Sequence, residues 1–118
     1  MENQLEIIAN EIKSCKLCDL YLNRKNAVPG EGKSDASLVI VGEAPGRNED
    51  LYGRPFVGMA GKFLDKYLKS AGIERNSIFI TNAVKCRPPN NRKPSSEELI
   101  TCRFYLIRQL NSIHPKIV

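Results

Sequence analysis

Leu38-Val39-Ile40-Val41-Gly42-Glu43-Ala44-Pro45-Gly46-Arg47-Asn48-Glu49-Asp50-Leu51-Tyr52-Gly53-Arg54-Pro55-Phe56 is the stretch whose reading decides the fold. Its first four residues are apolar and mostly β-branched, which suits a strand buried on both faces, as in a parallel sheet. Gly42, Pro45 and Gly46 then break the strand, and no helical period is expected to run through them. In open α/β sheets ligands are handled just past the carboxyl end of a strand. Acids and an aromatic, Phe56, therefore stand where a site is expected. On these residues alone, an ordinary strand-to-helix loop with solvated acids accounts for the stretch equally well.

Upstream, Leu5, Ile8, Ile12 and then Cys15 recur at helical spacing over residues 3–14. Residues 21–37 are mostly polar and hold the turn-forming Pro29-Gly30-Glu31-Gly32. Downstream, Gly58 to Gly61 leads into a helix with the stripe Leu64, Leu68 and Ala71, and Gly72 is placed to cap it. Ser77-Ile78-Phe79-Ile80-Thr81 reads as a second strand that delivers Asn82. Three prolines keep residues 87–94 irregular. Ser95 and Glu98 form a capping box for a third helix, with Leu99, Cys102, Leu106, Leu110 and Ile113 on one face. The order is helix, strand, helix, strand, helix and the start of a strand. That order predicts an α/β class with a parallel central sheet built by right-handed crossovers.

A chain of 118 residues suffices for one small domain. The segment Lys116-Ile117-Val118 reads as a strand cut short, so residues 1–118 are taken as the N-terminal part of a longer domain. No apolar run approaches the roughly 20 residues of a membrane helix. Met1-Glu2-Asn3-Gln4 does not open a signal peptide. The expected location is therefore cytoplasmic, with no membrane partner. The net charge of +5 fits an anionic partner but equally a soluble surface.

In that compartment the four cysteines are read as metal ligands or free thiols rather than disulfides. Cys15-Lys16-Leu17-Cys18 places two sulfurs at a helix end, close enough to share one metal. Cys86 follows the second strand, and Cys102 lies on the first turns of the third helix. Four thiolates without a histidine fit either Zn²⁺ or an iron–sulfur cluster, and spacing alone slightly favours zinc. Cys102 also reads simply as a small hydrophobe on a core face. Between the last two cysteines, Lys85, Arg87, Arg92 and Lys93 bring four positive charges into nine residues, a pattern suited to a phosphate backbone. A solvated loop is the plainer reading of those charges.

Several blocks together resemble the family 4 uracil-DNA glycosylases. Gly42-Glu43-Ala44-Pro45-Gly46 with Glu49-Asp50, then Gly53-Arg54-Pro55-Phe56-Val57-Gly58, is similar to that family's first motif. Asn82-Ala83-Val84-Lys85-Cys86-Arg87-Pro88-Pro89 with Asn91-Arg92-Lys93-Pro94 resembles its second. The resemblance runs from Cys15 to Val118, and it reverses the preference for zinc. It implies a three-layer α/β fold and a [4Fe–4S] cluster on Cys15, Cys18, Cys86 and Cys102. It also implies a base excision repair enzyme, expected as a monomer, that hydrolyses the N-glycosidic bond of uracil in DNA and leaves an abasic site.

By the same resemblance, Phe56 stacks on the flipped uracil and Asn82 reads its polar edge. Glu43 belongs to the motif associated with the attacking water, and Gly42 and Ala44 border the base pocket. Glu49 and Asp50 are weaker candidates for Glu43's work and serve equally well as caps. The family's C-terminal histidine motif lies beyond this chain. His114-Pro115 resembles it only superficially, because a lone histidine at a helix end reads as a cap. The 118 residues alone are therefore expected to show little or no glycosylase activity. The alternatives are a non-catalytic, metal-stabilised nucleic-acid-binding module on the same scaffold, and a zinc-bound structural protein.

Overall fold

A computed structural model describes residues 3–118. Its sheet contains β1 (Glu31–Gly32), β2 (Val39–Gly42) and β3 (Phe79–Asn82), in the order β1-β3-β2. β2 and β3 run parallel, with Val39 opposite Phe79 and Gly42 opposite Asn82. Around the sheet lie α1 (Gln4–Lys13), α2 (Arg47–Tyr52), α3 (Met59–Ser70) and α4 (Ser96–Ile113).

The strands sort their side chains by alternation. Val39 and Phe79 are buried with Ile113 of α4, and Leu5 of α1 and Val41 pack against them. Ile78 and Ile80 are buried on the other side with Leu68 of α3, joined by Leu38, Ile40 and Phe56. The sheet is thus sandwiched between α1 and α4 on one face and α3 on the other, giving the three layers. β3 is buried along its whole length, as a central strand should be. Beyond β2, Leu38 forms a parallel bridge with Ile117, and Val39 N–H donates to the Ile117 carbonyl at 3.0 Å. That isolated bridge stands where the sequence predicts the start of a strand.

Two features go beyond the sequence reading. The polar segment before β2 includes β1, which pairs antiparallel with β3. Gly32 allows this approach at φ +136, since a Cβ there would lie 1.9 Å from the Ile78 carbonyl oxygen. The loop after β2 also contains the helix α2, contrary to the expectation of irregular chain. Its glycines stand at the ends rather than inside: Gly46 is the N-cap, and Gly53, at φ +69, ends it.

The other helix termini follow local chemistry. Gly72, at φ +72, completes a Schellman turn after α3: Gly72 N–H donates to Lys69 O and Ile73 N–H to Leu68 O. Ser95 and Glu98 form the expected capping box on α4. His114 caps the far end of α4 in the left-handed conformation, with its N–H on Leu110 O. The buried face of α4 is rotated from the expected leucine stripe. It consists of Glu98, Cys102, Tyr105, Gln109 and Ile113, with Leu106 only half-buried. No helix among the described residues is long and apolar enough to cross a membrane.

Candidate functional site

An open pocket of about 320 Å³ lies at the carboxyl ends of β2 and β3. Gly42, Glu43, Ala44, Phe56 and Asn82 line it, with Arg92 at one side. The parallel register accounts for the meeting of the first and fifth of these, because Gly42 and Asn82 are opposite partners. Past the strands the pairing continues, with Ala83 N–H on Gly42 O at 2.8 Å and Val84 N–H on Glu43 O at 3.1 Å. Glu43 is therefore carried on rigid backbone while its side chain stays exposed. A Cβ on Gly42 would lie 2.4 Å from Asn82 Oδ1 and 2.6 Å from Phe56 Cζ. Only glycine leaves room for the carboxamide and the ring together.

Asn82 is 3% exposed, and its Nδ2 has no hydrogen-bond partner among the described residues. An orphaned buried donor is costly, on the order of 1–3 kcal/mol, unless a ligand or an ordered water completes it. Phe56 sits at φ +50, a strained conformation for a non-glycine residue. Arg75 donates to the carbonyls of Pro55 and Phe56. A Cβ on Gly61 would lie 1.9 Å from Phe56 O, so α3 closes directly onto this turn.

The remaining acids of the stretch hold structure in place. Glu49 accepts from Gly46 N–H at 2.9 Å, Val57 N–H at 2.9 Å and Gly58 N–H at 2.7 Å, tying the start of α2 to the chain after Phe56. Asp50 is buried and accepts from the backbone of Lys25 and Asn26. Both carboxylates thus accept from backbone N–H groups, and Glu49 also lines a smaller pocket with Phe56 and Asn82.

Lys85 overturns one expectation. It was read as a DNA-contacting cation, yet it is 1% exposed. Its Nζ donates to Thr81 Oγ1 and the Asn82 carbonyl, both at 2.7 Å, and to Gln109 Oε1 at 2.8 Å. Burial pulls its pKa down to about 7, against the charge of Cys102. The position four residues after Thr81 turns the side chain inward beneath the pocket, so it cannot reach phosphate. Arg87, Arg92 and Lys93 do remain at the surface of the loop. Arg87 is held by Asn91 Oδ1, and Arg92 grips Glu98 through two hydrogen bonds of 2.8 and 2.9 Å.

All four cysteines are free and line one cavity on the other side of Val84 and Lys85. Cys86 and Cys102 are buried in the cluster that includes Ile8, Ile12 and Tyr105, and Cys15 and Cys18 pack against it. Burial pushes the Cys102 thiol up to about 11 and the Cys86 thiol upward, the latter opposed by Arg24. Arg24 donates to Cys86 Sγ at 3.2 Å and to the carbonyls of Cys15 and Lys13. Among the described residues no three potential ligands are grouped tightly enough for a single metal ion. Four thiols around one cavity make an all-sulfur donor set of the kind that zinc or an iron–sulfur cluster takes.

Sequence reasoning missed Arg75, Arg24, Gln109 and Gly61. Gln109 carried a signal, being polar at a spacing of seven from Cys102 on the same helix face. The two arginines act across long sequence separations and carried none.

The sequence profile of the uracil DNA glycosylase superfamily matches residues 29–118. The type-4 uracil-DNA glycosylase of Saccharolobus solfataricus is 53% identical over the whole chain, which spans 55% of that protein. The type-4 enzyme of Thermotoga maritima is 48% identical over 99% of the chain, spanning 61% of its length. The type-5 uracil-DNA glycosylase of Thermus thermophilus is 32% identical over 82% of the chain and 58% of its own length. The chain spans about half the length of the curated relatives it matches. With motif order, fold and pocket in agreement, this chain belongs to the uracil DNA glycosylase superfamily.

Proposed function

We propose that the protein carrying this chain removes uracil from DNA by hydrolysing its N-glycosidic bond, with residues 1–118 contributing the N-terminal part of a single domain that works as a monomer. The observation that carries this reading is the orphaned Asn82 Nδ2, buried in the same pocket as the Phe56 ring, which a strained backbone turn presents. A carboxamide offers one donor and one acceptor, matching a carbonyl and the adjacent imide N–H of uracil. The base must leave the stack to enter, at a cost of a few kcal/mol. Stacking on Phe56 returns part of it, about 1–3 kcal/mol. Arg87, Arg92 and Lys93 supply charge for the phosphates flanking the flipped nucleotide.

As the bond breaks, positive charge develops on the sugar and negative charge on the base. The exposed Glu43 carboxylate, at the pocket wall, orients water and offsets the sugar's charge. Gly42 and Ala44 shape the wall against which the base lies. Cys15, Cys18, Cys86 and Cys102 would hold a [4Fe–4S] cluster, which supplies a structural tie between the end of α1 and the chain after β3.

The test is release of uracil from a single-stranded oligonucleotide by the full gene product. Phe56→Ala and Asn82→Ala are expected to lower excision far more than DNA binding. If no uracil is released, or if both variants lose binding and excision equally, the non-catalytic binding module is the correct reading. A brown protein with visible absorption supports the cluster, and a colourless zinc-containing one overturns it.

A further inference from the structure

We propose that Arg75 is the positioning residue for the base-stacking ring, acting through the backbone of Pro55 and Phe56; this rests on the assignment of Phe56 as the stacking aromatic. Arg75 Nη1 donates to Phe56 O at 3.0 Å and Nη2 donates to Pro55 O. Neither carbonyl accepts from a backbone N–H among the described residues. Phe56 lies at φ +50, and a strained turn persists only where its surroundings over-determine it. Arg75 is that determinant on one side, and Glu49 is the other, through the N–H groups of Val57 and Gly58.

The guanidinium is itself anchored. Arg75 Nη1 also reaches Asp65 Oδ1 at 2.9 Å, and Nε lies 3.8 Å from Glu31, which grips Arg54 at 2.8 Å. Arg75 follows the turn that ends α3, and Asp65 lies within α3. The clamp therefore ties the Phe56 turn to α3 by hydrogen bonds, with Glu31 of the edge strand β1 an ionic neighbour of the guanidinium rather than a hydrogen-bond partner. A planar fork meets two adjacent carbonyls in a fixed geometry, whereas an ammonium is a compact charge on a flexible stem.

The experiment is a double-mutant cycle on the full gene product, reading kcat/KM for uracil release and the thermal midpoint of each variant. Arg75→Met is expected to lower kcat/KM by about 10²-fold, the scale of an ångström-sized misplacement. In a Phe56→Ala background the same change should cost almost nothing further, because the ring it positions is gone. Arg75→Lys should fall between wild type and Arg75→Met. A purely structural role would instead give the same loss in both backgrounds, and that result overturns the proposal, as does an Arg75→Met variant within twofold of wild type. If Phe56→Ala alone leaves kcat/KM unchanged, the stacking assignment fails and the clamp fails with it. Should Arg75→Met not fold at the assay temperature, the cycle with Arg75→Lys is read by the same criteria.

Discussion

Gly42 is a residue defined by what its missing Cβ would strike. Asn82 Oδ1 and the Phe56 ring both occupy that space, so one methyl group would displace the carboxamide and the ring together. Overpacking of this kind costs about 1–3 kcal/mol. Gly42→Ala should accordingly lower excision by on the order of 10²-fold while leaving the protein folded, checked by steady-state kinetics beside a thermal melt. Lys85 makes the opposite case. Its three acceptors lose their donor in Lys85→Met, and unsatisfied buried groups cost roughly 1–3 kcal/mol each. That variant is expected to show a large drop in urea midpoint, whereas loss of a mere surface cation would leave the midpoint unmoved. Phe56 and Asn82 meet in one pocket, as motif spacing and strand ends lead one to expect. Lys85 was misread because a lysine between a strand and a proline-rich loop carries no local sign of burial; its acceptor on α4 is 24 residues away.

Among the elements, α3 and α4 show how much capping chemistry survives from sequence to structure. Gly72 and the Ser95–Glu98 box stand as read, because both depend on neighbours within five residues. The buried face of α4 did not follow the leucines, because Lys85 and Pro29 demand the polar Gln109 on the inside. Gly72 has open space around it, so Gly72→Ala tests conformation alone. The left-handed turn should cost about 1–2 kcal/mol, read as a lower urea midpoint at unchanged slope. At the start of α4, the hydrogen bonds from Arg92 hold Glu98's carboxyl down from 4.5 to about 2. A carboxyl depressed in the folded state contributes stability that is complete above its unfolded value and lost as pH falls toward about 2. Thermal midpoints should therefore fall between pH 4.5 and 2, and Arg92→Met should flatten that dependence. Equal pH slopes in the two proteins would show that the pair contributes nothing.

At the scale of the whole molecule, the two halves of the core are held by different means. β2 and β3 share a ladder, and their faces are closed by Ile113 on one side and Leu68 on the other. α1 is joined to the rest through Ile8 and Ile12, the Arg24 hydrogen bonds at its end, and a Glu11–Arg108 pair. That pair is partly exposed and contributes little. Beneath α1 the cluster of buried residues is interrupted by four thiols, and burial raises the pKa of Cys86 and Cys102. A cluster bound there would replace the thiol protons and link three chain segments, so its binding free energy would add to folding. Removing the iron by oxidation and chelation should then loosen the molecule unevenly. Amide exchange is expected to quicken first across residues 4–24 and 84–92, while the amides of β2 and β3 keep most of their protection. Uniform loss of protection would mean that the thiol-lined cavity is part of one cooperative core, and unchanged exchange would mean that the cysteines hold nothing that the hydrophobic contacts do not already secure.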